Sequence, residues 1–476
     1  MKKDKPNPKA NRGILGFSYV VALLFAAMAV YMGYFLQVKS EEVVNNPYNA
    51  RINERSEQIV RGEIIAADGT ILARTATDSN GTETREYPYG ELFAHSVGYS
   101  TAGKTGVESL ANFYLLSSHS SLLEKVTKEL ADQKMTGDNV VTTLEPSLQQ
   151  IASDALGDRR GAVVAMEPDT GKILAMVSKP SFDPNTVAAD WDSLVNGDSS
   201  EARLLNRATQ GLYPPGSTFK IITALEYMRE NPNTWQDFTF TCSGVTQFDN
   251  FTIQCSHRQA HGKQNFVQAF ANSCNGAFAT IGKSLDLTSL RNLSEQLLYN
   301  RDQPLSLPYS KSAYQMTEGA PEWEICQTAI GQGSTLMTPM HNLMLVSAIA
   351  NGGTLMTPYL IDRVESADGE LIQKFLPQAS GEIMVANEAA ALTELMTHVV
   401  TEGTGSALRT DAYQAAGKTG SAEFDSGKDT HAWFVGFAPV ENPKIAVCVI
   451  VEEGGSGGRT AAPIARKLFD AYLDAE

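Results

Sequence analysis

An uncharged run from residue 13 to residue 38 constrains the fold of this 476-residue chain more than any other feature. Five basic residues and a single acidic one precede the run, and Lys39 follows it. A helix of roughly 20 apolar residues crosses the hydrocarbon layer of a membrane, so this run is long enough to span it. Because positive flanks stay on the cytoplasmic side, the sequence predicts a cytoplasmic tail over residues 1–12, a transmembrane anchor over 13–38 and an extracytoplasmic remainder.

A cleaved signal peptide is the alternative interpretation of the same segment. Ala27, Met28 and Ala29 match the small-residue cleavage pattern of secretory signals. The apolar run continues through Leu36, however, which is well beyond that site. We therefore expect the segment to be retained, so that the protein sits in the cell membrane as a single-pass chain with its N-terminus in the cytoplasm.

The net charge of −16 argues against a nucleic-acid partner, because proteins of that class present a basic patch to the phosphate backbone. No basic stripe occurs beyond the first dozen residues. Hydrophobic residues make up 42% of the chain, which is ordinary globular composition. The part beyond the anchor is thus expected to fold around a large apolar core.

The extracytoplasmic part divides into two regions. Residues 39–55 look like a polar, partly helical stalk that leaves the membrane. Residues 56–140 have a mixed, irregular texture, and two short apolar runs separated by Asp68 and Gly69 predict a β-hairpin there. Residues 156–476 have the texture of a larger catalytic domain. We therefore predict an N-terminal module over residues 39–155, followed by a catalytic domain over residues 156–476.

Strand patterns lie at both ends of the larger domain, with helical patterns between them. Two apolar strands surround a turn at residues 168–171, and a helix is predicted from Ser217 onward. Three further strand candidates precede a closing helix, at residues 413–418, 431–439 and 444–453. This order predicts an α/β (α+β) domain in which an antiparallel sheet is completed late in the chain and packed by terminal helices.

Ser217 and Lys220 form an S-x-x-K pattern. Positions i and i+3 share one face of a helix, so the hydroxyl and the amine are neighbours. A serine is a poor nucleophile until a base removes its proton, and a lysine whose pKa is lowered by burial or by a nearby cation can be that base. The preceding Pro-Pro-Gly places Ser217 in the first helical turn, where free backbone N–H groups can stabilise an oxyanion.

Two later patterns complete a possible acyl-transfer site. Ser273 and Asn275 form an S-x-N set, which offers a hydroxyl to relay protons and an amide to hold a substrate carbonyl. Lys418, Thr419 and Gly420 follow at a strand candidate. The cation and hydroxyl suit a substrate carboxylate, and the glycine lets a ligand lie close to the strand. Each pattern alone is weak, but the ordered combination matches a known serine acyl-transfer set.

With these motifs in place, nearly all of the chain beyond the anchor resembles the class B penicillin-binding proteins, and its length resembles the short penicillin-binding protein A subtype. The segments "YPPGSTFK", "SCN", "GTGSA", "GKTGSAE" and "HAWFVGFAP" look like the transpeptidase domain of that family. "NPYNAR", "RGEI" with "DGTILA", and "GKTGVES" look like its N-terminal pedestal module, of a type that also serves dimerisation. The resemblance implies a penicillin-binding/β-lactamase-like fold with a helical subdomain. No segment resembles a glycosyltransferase domain.

The resemblance also implies an activity and roles by position. The protein would be a D,D-transpeptidase that cross-links the D-Ala-D-Ala stem peptides of peptidoglycan and is acylated by β-lactams, without a metal or cofactor. A polytopic glycan polymerase of the SEDS family is the implied partner. Ser217 would be acylated, Lys220 would be the base, and Ser273 would bridge Lys220 and Lys418. The remaining substrate-binding positions would be Asn275, Thr419, Gly420 and Ser421, with the backbone N–H groups of Ser217 and Ser421 as the oxyanion hole.

Two classes of function compete with this hypothesis. A D,D-carboxypeptidase or a β-lactamase would use water as the acceptor, but the anchor and the large N-terminal module disfavour both. A β-lactam sensor or an idle scaffold would be a non-catalytic protein. An intact set of the three motifs disfavours a scaffold, and a tail of about a dozen residues leaves no room for a cytoplasmic signalling domain.

Other patterns suggest sites that we reject on context. Residues 98–105 match a P-loop pattern without a strong preceding strand, and Lys104 begins a second K-T-G that precedes the serine motif. Residues 454–458 match G-x-S-x-G, but no histidine follows Ser456 to complete a hydrolase triad. We interpret His431, before an aromatic strand, as a packed residue rather than a catalytic one.

Five cysteines in a chain of this length do not make a disulfide scaffold. Cys242 and Cys255 lie in one loop-like stretch and are the best candidate pair for a disulfide in an exported domain. Together with His257 and His261 they also allow a zinc set, but the spacing is not a standard one. The sequence therefore favours an oxidised pair or unlinked thiols over a metal site.

Overall fold

The computed structural model describes most of the chain and divides it into two compact units, residues 1–58 and 59–476. In the first unit a 27-residue helix, Pro8–Tyr34, contains a stretch long and apolar enough to cross a membrane, Gly13–Tyr34. The predicted stalk that follows the anchor lies outside the described residues. The described ranges are 8–35, 58–120, 126–128, 130–131, 133–198, 201–425 and 427–474.

A six-stranded sheet, here called the pedestal sheet, forms the N-terminal part of the second unit. The predicted hairpin is confirmed, since Ile64–Ile65 pairs antiparallel with Ile71–Thr77 across the turn at Gly69. Two strands of this sheet come from residues 361–374, far along the chain. In spatial order the strands are Leu371–Lys374, Ile361–Glu365, Asn139–Thr142, Ile64–Ile65, Ile71–Thr77 and Glu83–Glu86.

A buried ion cluster ties a short helix of the pedestal, Gly106–Leu110, to this sheet. The Glu108 carboxylate lies 2.6 Å from Arg61 and 2.8 Å from Arg85, and its side chain is fully buried. Burial alone would raise the pKa of Glu108, but the two guanidinium groups outweigh it and hold that pKa below its usual value. The acidic residue of the "GKTGVES" segment thus has a structural role.

The catalytic domain is built on a five-stranded antiparallel sheet, here called the central sheet. Its late closure is confirmed, because Ile445–Val451 pairs with Gly161–Met166. Residues along the central strands are buried on both faces, as the continuous apolar runs require. In spatial order the strands are Ala416–Ala422, His431–Ala438, Ile445–Val451, Gly161–Met166 and Ile173–Lys179.

Alternate residues of the central sheet belong to two separate apolar cores. Val163 and Val449 face a core with the helices Pro146–Leu156 and Ala462–Leu473. The residues that alternate with them along the strands face a larger core, which includes the helix Pro339–Ala350. Thr338 caps this helix, because its hydroxyl accepts a hydrogen bond from a backbone N–H of the first turn. The sheet is therefore a middle layer, with helices on both sides.

A helical subdomain packs beside the larger core and carries two of the three motifs. Some helices of this subdomain begin where the sequence has capping residues. For example, Asn265 and Gln268 form a reciprocal capping box at the start of Phe266–Ala271. The helices of this part are Lys220–Glu230, Phe266–Ala271, Asn275–Ser284, Leu287–Gln296, Glu322–Ala329 and Ala386–Thr401.

The remaining described elements are short. The other helices are Ala94–Val97, Asn112–Leu115 and Val187–Asn196. Four small strand pairs lie outside the two large sheets: Ile59–Val60 with Met135–Thr136, Thr239–Cys242 with Gly262–Asn265, Val245–Gln247 with Thr252–Gln254, and Thr354–Met356 with Ala379–Glu382.

The P-loop pattern at residues 98–105 has the wrong context, as the sequence indicated. A short helix, Ala94–Val97, precedes it instead of a strand. Gly98 has a φ of +84°, and a Cβ there would lie only 2.0 Å from the Thr105 carbonyl oxygen. The glycine is explained by this close backbone approach rather than by a phosphate.

Candidate active site

Ser217 lies in a tight turn at the entrance of a buried helix. The turn Gly216–Phe219 is a 3₁₀ helix that leads directly into the α-helix Lys220–Glu230. The sequence predicted an ordinary helical turn, but the positive φ of Gly216 and the hydrogen bond from the Thr218 hydroxyl to the Pro215 carbonyl tighten it. Side chains at i and i+3 eclipse in a 3₁₀ helix, so the tightening aligns Ser217 with Lys220.

Neighbouring elements hold the serine turn from behind. The Gly216 N–H donates to the Gly331 carbonyl at 2.8 Å. The Trp433 indole N–H donates to the Pro214 carbonyl at 3.0 Å. Ser217 itself stays partly exposed, while Thr218 and Phe219 are buried. The structure therefore fixes the backbone of the turn and leaves the Ser217 hydroxyl accessible.

Lys220 is fully buried and held by three acceptors. Its ammonium group donates to the Ser273 carbonyl at 2.7 Å, to the Ser273 hydroxyl at 3.2 Å and to the Asn275 side-chain oxygen at 2.7 Å. Burial lowers the pKa of Lys220 to about 8. This amine therefore loses its proton far more readily than an exposed lysine does, and its neutral form can accept a proton.

Ser273 connects the two lysine side chains of the site. Its hydroxyl accepts from Lys220 at 3.2 Å and from Lys418 at 2.9 Å. Its backbone has a φ of +54°, in the left-handed region that a non-glycine residue adopts only when its surroundings hold it there. The S-x-N loop is thus a strained connection whose geometry places one hydroxyl between two ammonium groups.

Lys418 lies in the edge strand of the central sheet, Ala416–Ala422. Its side chain is fully buried, and both burial and the neighbouring Lys220 cation lower the pKa of Lys418 well below its usual value. Among the described strands only His431–Ala438 pairs with this edge strand. Its other side is therefore available for an extended peptide.

The next three residues of the edge strand face the serine turn. The Thr419 hydroxyl is 2.6 Å from the Thr404 hydroxyl. A Cβ on Gly420 would lie 3.2 Å from Thr218, and a Cβ on Gly216 would lie 3.0 Å from the Ser421 carbonyl oxygen. The K-T-G glycine is therefore needed for the close packing of this strand against the turn that carries Ser217.

The structure brings all eight predicted site residues to one groove between the central sheet and the helical subdomain. The serine turn and the edge strand meet at Gly216 and Ser421, and the S-x-N loop contacts both lysines. Sequence reasoning assigned no role to Gly331 or Thr404, although Thr404 lies in the quoted "GTGSA" segment. Only the long-range contacts identify these two residues as supports of the site.

The rejected motifs have structural explanations. His431 is buried, stacks on Phe424 with 3.9 Å between ring centres, and accepts from the Glu453 backbone N–H through Nδ1. A Cβ on Gly457, within the G-x-S-x-G pattern, would lie 2.2 Å from the Trp433 carbonyl oxygen. Both therefore support the back of the edge strand.

A cluster of three thiols and one imidazole lies directly behind the S-x-N loop. The Sγ atoms of Cys242, Cys255 and Cys274 and a ring nitrogen of His261 all lie within 4.8 Å of one another. Hydrogen bonds from the Cys274 thiol and from His261 outweigh burial and lower the pKa of the Cys255 thiol. The sequence favoured an oxidised pair or unlinked thiols here, with a zinc set of Cys242, Cys255, His257 and His261 as the alternative. The zinc set considered from the sequence contained His257, which is not in the cluster. It omitted Cys274, which was assigned only to the S-x-N motif.

The chain is similar to known proteins in its domains and in its sequence. Residues 161–470 match the penicillin binding protein transpeptidase domain, and residues 61–140 match the penicillin binding protein A dimerisation domain. The chain is 33% identical over 459 residues to the peptidoglycan D,D-transpeptidase PbpA of Mycolicibacterium smegmatis, with 90% of this chain and 92% of that protein covered. It is 30% identical over 451 residues to the peptidoglycan D,D-transpeptidase MrdA of Acinetobacter baumannii, with 82% and 66% covered.

A solved structure resembles the fold closely. Penicillin-binding protein A of M. tuberculosis, in a ceftriaxone acyl-enzyme complex, matches with a TM-score of 0.79 and 31% identity. The match covers 89% of this chain and 100% of that one. The likeness therefore extends over both the pedestal sheet and the central sheet.

The contact between Gly331 and the serine turn generates a test. A Cβ on Gly331 would lie 1.9 Å from the Gly216 carbonyl oxygen, so Gly331→Ala must displace backbone as well as strain its own φ of +79°. We expect a loss of about 3 kcal/mol in the free energy of unfolding. Gly333→Ala is the matched control, because Gly333 has the same φ but its Cβ would meet only a side-chain oxygen at 4.0 Å. That control should lose about 1 kcal/mol. Equal losses in thermal unfolding of the two variants would contradict the packing argument.

Proposed function

Because the chain belongs to the family of class B penicillin-binding proteins, peptidoglycan D,D-transpeptidases that β-lactams acylate, we propose that Ser217 is the nucleophile of its transpeptidation reaction. Membership of this family confirms the fold and the reaction that the sequence predicted. The observation that carries the assignment of roles is that two buried lysines, Lys220 and Lys418, donate to the same Ser273 hydroxyl. Lys220 follows Ser217 by one helical turn. Because Ser217 is partly exposed and Lys220 is buried, the two supply an accessible hydroxyl and a base.

In the acylation step the Ser217 oxygen attacks the carbonyl carbon of the penultimate D-Ala. The neutral amine of Lys220 accepts the hydroxyl proton as the C–O bond forms. Burial lowers the pKa of Lys220 to about 8, so the free base is available without a large energetic cost. The tetrahedral intermediate then collapses to the Ser217 ester.

The negative oxygen of that intermediate needs donors in place before it forms. The backbone N–H groups of Ser217 and Ser421 are the proposed oxyanion hole. The close approach of Gly216 to the Ser421 carbonyl oxygen supports this assignment, because it holds the two backbones beside each other. Such preorganised donors each contribute roughly a hundredfold or more to the rate of acyl transfer.

The other polar groups bind the substrate and return the proton. Lys418 and Thr419 bind the terminal carboxylate of the stem peptide, and Asn275 holds a side-chain amide or carbonyl of the donor. Ser273 relays a proton toward the departing amine, which leaves as free D-Ala. The hydrogen bonds of Ser273 to both lysines support this relay, since one hydroxyl can exchange protons with either amine.

In the second step an amine of a neighbouring stem peptide attacks the Ser217 ester. A new peptide bond forms, the C–O bond to Ser217 breaks, and the serine recovers its proton through Lys220. A β-lactam follows the same first step, but its amine stays attached after the ring opens. The acyl-enzyme therefore persists and can be detected as a covalent adduct.

We further propose that the N-terminus lies in the cytoplasm, that the catalytic domain lies outside, and that the chain works beside a SEDS-family glycan polymerase. The apolar helix Gly13–Tyr34 and the basic residues before it support the orientation. Neither matched domain polymerises glycan, so the strands to be cross-linked must come from another enzyme.

The orientation has a direct test. Protease added to intact protoplasts should remove the catalytic domain and spare an epitope placed at the N-terminus. Lysed protoplasts, in which both sides are accessible, should lose the epitope as well. Survival of the catalytic domain in intact protoplasts would contradict the proposed topology.

The nucleophile is tested by covalent labelling. Fluorescent penicillin should label the wild type, and intact mass should show one adduct per chain. Ser217→Ala should abolish the adduct, because it removes the proposed nucleophile and leaves Lys220 and Ser273 in place. Ser421→Ala is the control within the same groove. It removes a hydroxyl but keeps the backbone N–H, so its labelling should continue at a reduced rate. An adduct on Ser217→Ala would refute the assignment.

The role of Lys220 predicts a pH dependence. Its pKa is lowered to about 8, and only the neutral amine accepts a proton, so the acylation rate should rise with pH through an inflection near that value. Stopped-flow measurement of acylation by a chromogenic β-lactam checks the profile. Lys220→Arg keeps the cation but cannot lose its proton near neutral pH, so the rate should fall by about 100-fold or more. A flat profile in the wild type would exclude Lys220 as the base.

A further inference from the structure

The thiol and imidazole cluster behind the S-x-N loop has the dimensions of a metal site. Two separations between sulfur atoms, Cys242 to Cys255 and Cys255 to Cys274, are 3.7 and 3.8 Å. The Cys242 sulfur lies 3.4 Å from His261 Nδ1. In a tetrahedral zinc site with Zn–S bonds of about 2.3 Å, neighbouring sulfur atoms lie about 3.8 Å apart and a sulfur–nitrogen pair about 3.6 Å apart. A disulfide needs about 2.05 Å between its sulfur atoms.

We propose that Cys242, Cys255, Cys274 and His261 bind one Zn²⁺ in a closed tetrahedral site. Three thiolates and one imidazole form a ligand set typical of structural zinc, and four protein ligands leave no position for a catalytic water. All three cysteines are buried, as a structural site requires. The Gly244 backbone N–H lies 3.4 Å from the Cys242 sulfur, where it can stabilise a thiolate.

The four ligands come from different parts of the helical subdomain. Cys242 ends the strand Thr239–Cys242, and Cys255 directly follows the strand Thr252–Gln254. His261 directly precedes the strand Gly262–Asn265. Bound zinc would therefore join two small strand pairs that share no long apolar core of their own.

The fourth ligand connects the metal to the catalytic groove. Cys274 lies between Ser273 and Asn275 and caps the helix Asn275–Ser284. The Asn275 amide donates to the carbonyl of Gln254, the residue before Cys255, at 2.8 Å. A metal that fixes Cys255 and Cys274 would hold the strained backbone of Ser273, and with it the hydroxyl between the two lysines. This effect on acylation rests on the proposed function, whereas the binding of zinc does not.

Metal content is the first test. The full chain, purified in detergent without chelator, should contain one zinc ion per protein by inductively coupled plasma mass spectrometry. Cys242→Ser and His261→Ala should each lower the content at least about tenfold, as loss of a ligand does. Cys326→Ser is the matched control, because Cys326 is also a buried free thiol but lies outside the cluster. It should keep its zinc.

Intact mass distinguishes the main alternative. A disulfide within the cluster would make the purified chain two hydrogen atoms lighter and free of metal, and this result would overturn the proposal. Equal loss of zinc in Cys326→Ser would overturn it too, since the loss would then reflect general misfolding. Replacement of zinc by Co²⁺ in the wild type should give the intense visible absorption of tetrahedral thiolate coordination. Absence of that absorption from cobalt-loaded protein would also count against the site.

The coupling to acylation needs no variant. Zinc is removed from the wild type with a chelator, and the rate of labelling by fluorescent penicillin is measured before and after addition of zinc chloride. We expect the metal-free protein to label at least about tenfold more slowly and zinc to restore the rate. An unchanged labelling rate would refute the coupling between zinc and acylation, while the measured zinc content would still support the metal site. Failure of the proposed function would show differently, as labelling of Ser217→Ala with its zinc intact.

Discussion

Two buried lysines share one serine hydroxyl, and the rest of the catalytic domain is arranged around that contact. Lys220, Ser273 and Lys418 come from three segments that lie far apart in the sequence, and each is fixed by a different element. Burial lowers the pKa of both lysines, and the neighbouring Lys220 cation lowers the pKa of Lys418 further. The consequence is chemical, since amines that are poorly stabilised as cations are the ones that can exchange protons during acyl transfer.

Such a contact requires a rigid frame, and the two sheets provide it together. Strands from residues 361–374 complete the pedestal sheet, so the chain leaves the catalytic domain and returns to it. The Thr143 hydroxyl and the Glu145 N–H donate to carbonyls of the strand Ile173–Lys179, at 2.7 and 2.9 Å. The pedestal and the catalytic domain are therefore interleaved within one compact unit and are not independent modules on a linker.

Much of this architecture follows from local sequence patterns. Apolar runs and turn residues predicted the strands of the central sheet, although the edge strand is Ala416–Ala422 rather than residues 413–418. Three short motifs, and for Ser421 the family resemblance, predicted the residues that we assign to catalysis or binding. What the sequence could not predict depends on contacts between distant segments. Gly331 matters only because Gly216 packs against it, and residues 361–374 become pedestal strands only where Asn139–Thr142 offers an edge. Likewise, Cys274 joins the thiol cluster because the fold brings it to Cys255, which lies 19 residues away.

The pairing of Ile445–Val451 with Gly161–Met166 has a consequence for biosynthesis. Synthesis proceeds from the N-terminus, so the apolar hairpin of Gly161–Met166 and Ile173–Lys179 emerges long before the strand that covers its edge. Until that strand is made, the hairpin has an open edge and two apolar faces, a state prone to aggregation. The edge strand with Lys418 also reaches the sheet only through the late strands. A partly translated chain therefore lacks the contact of Ser273 with both lysines, which forms only once nearly the whole polypeptide has been synthesised.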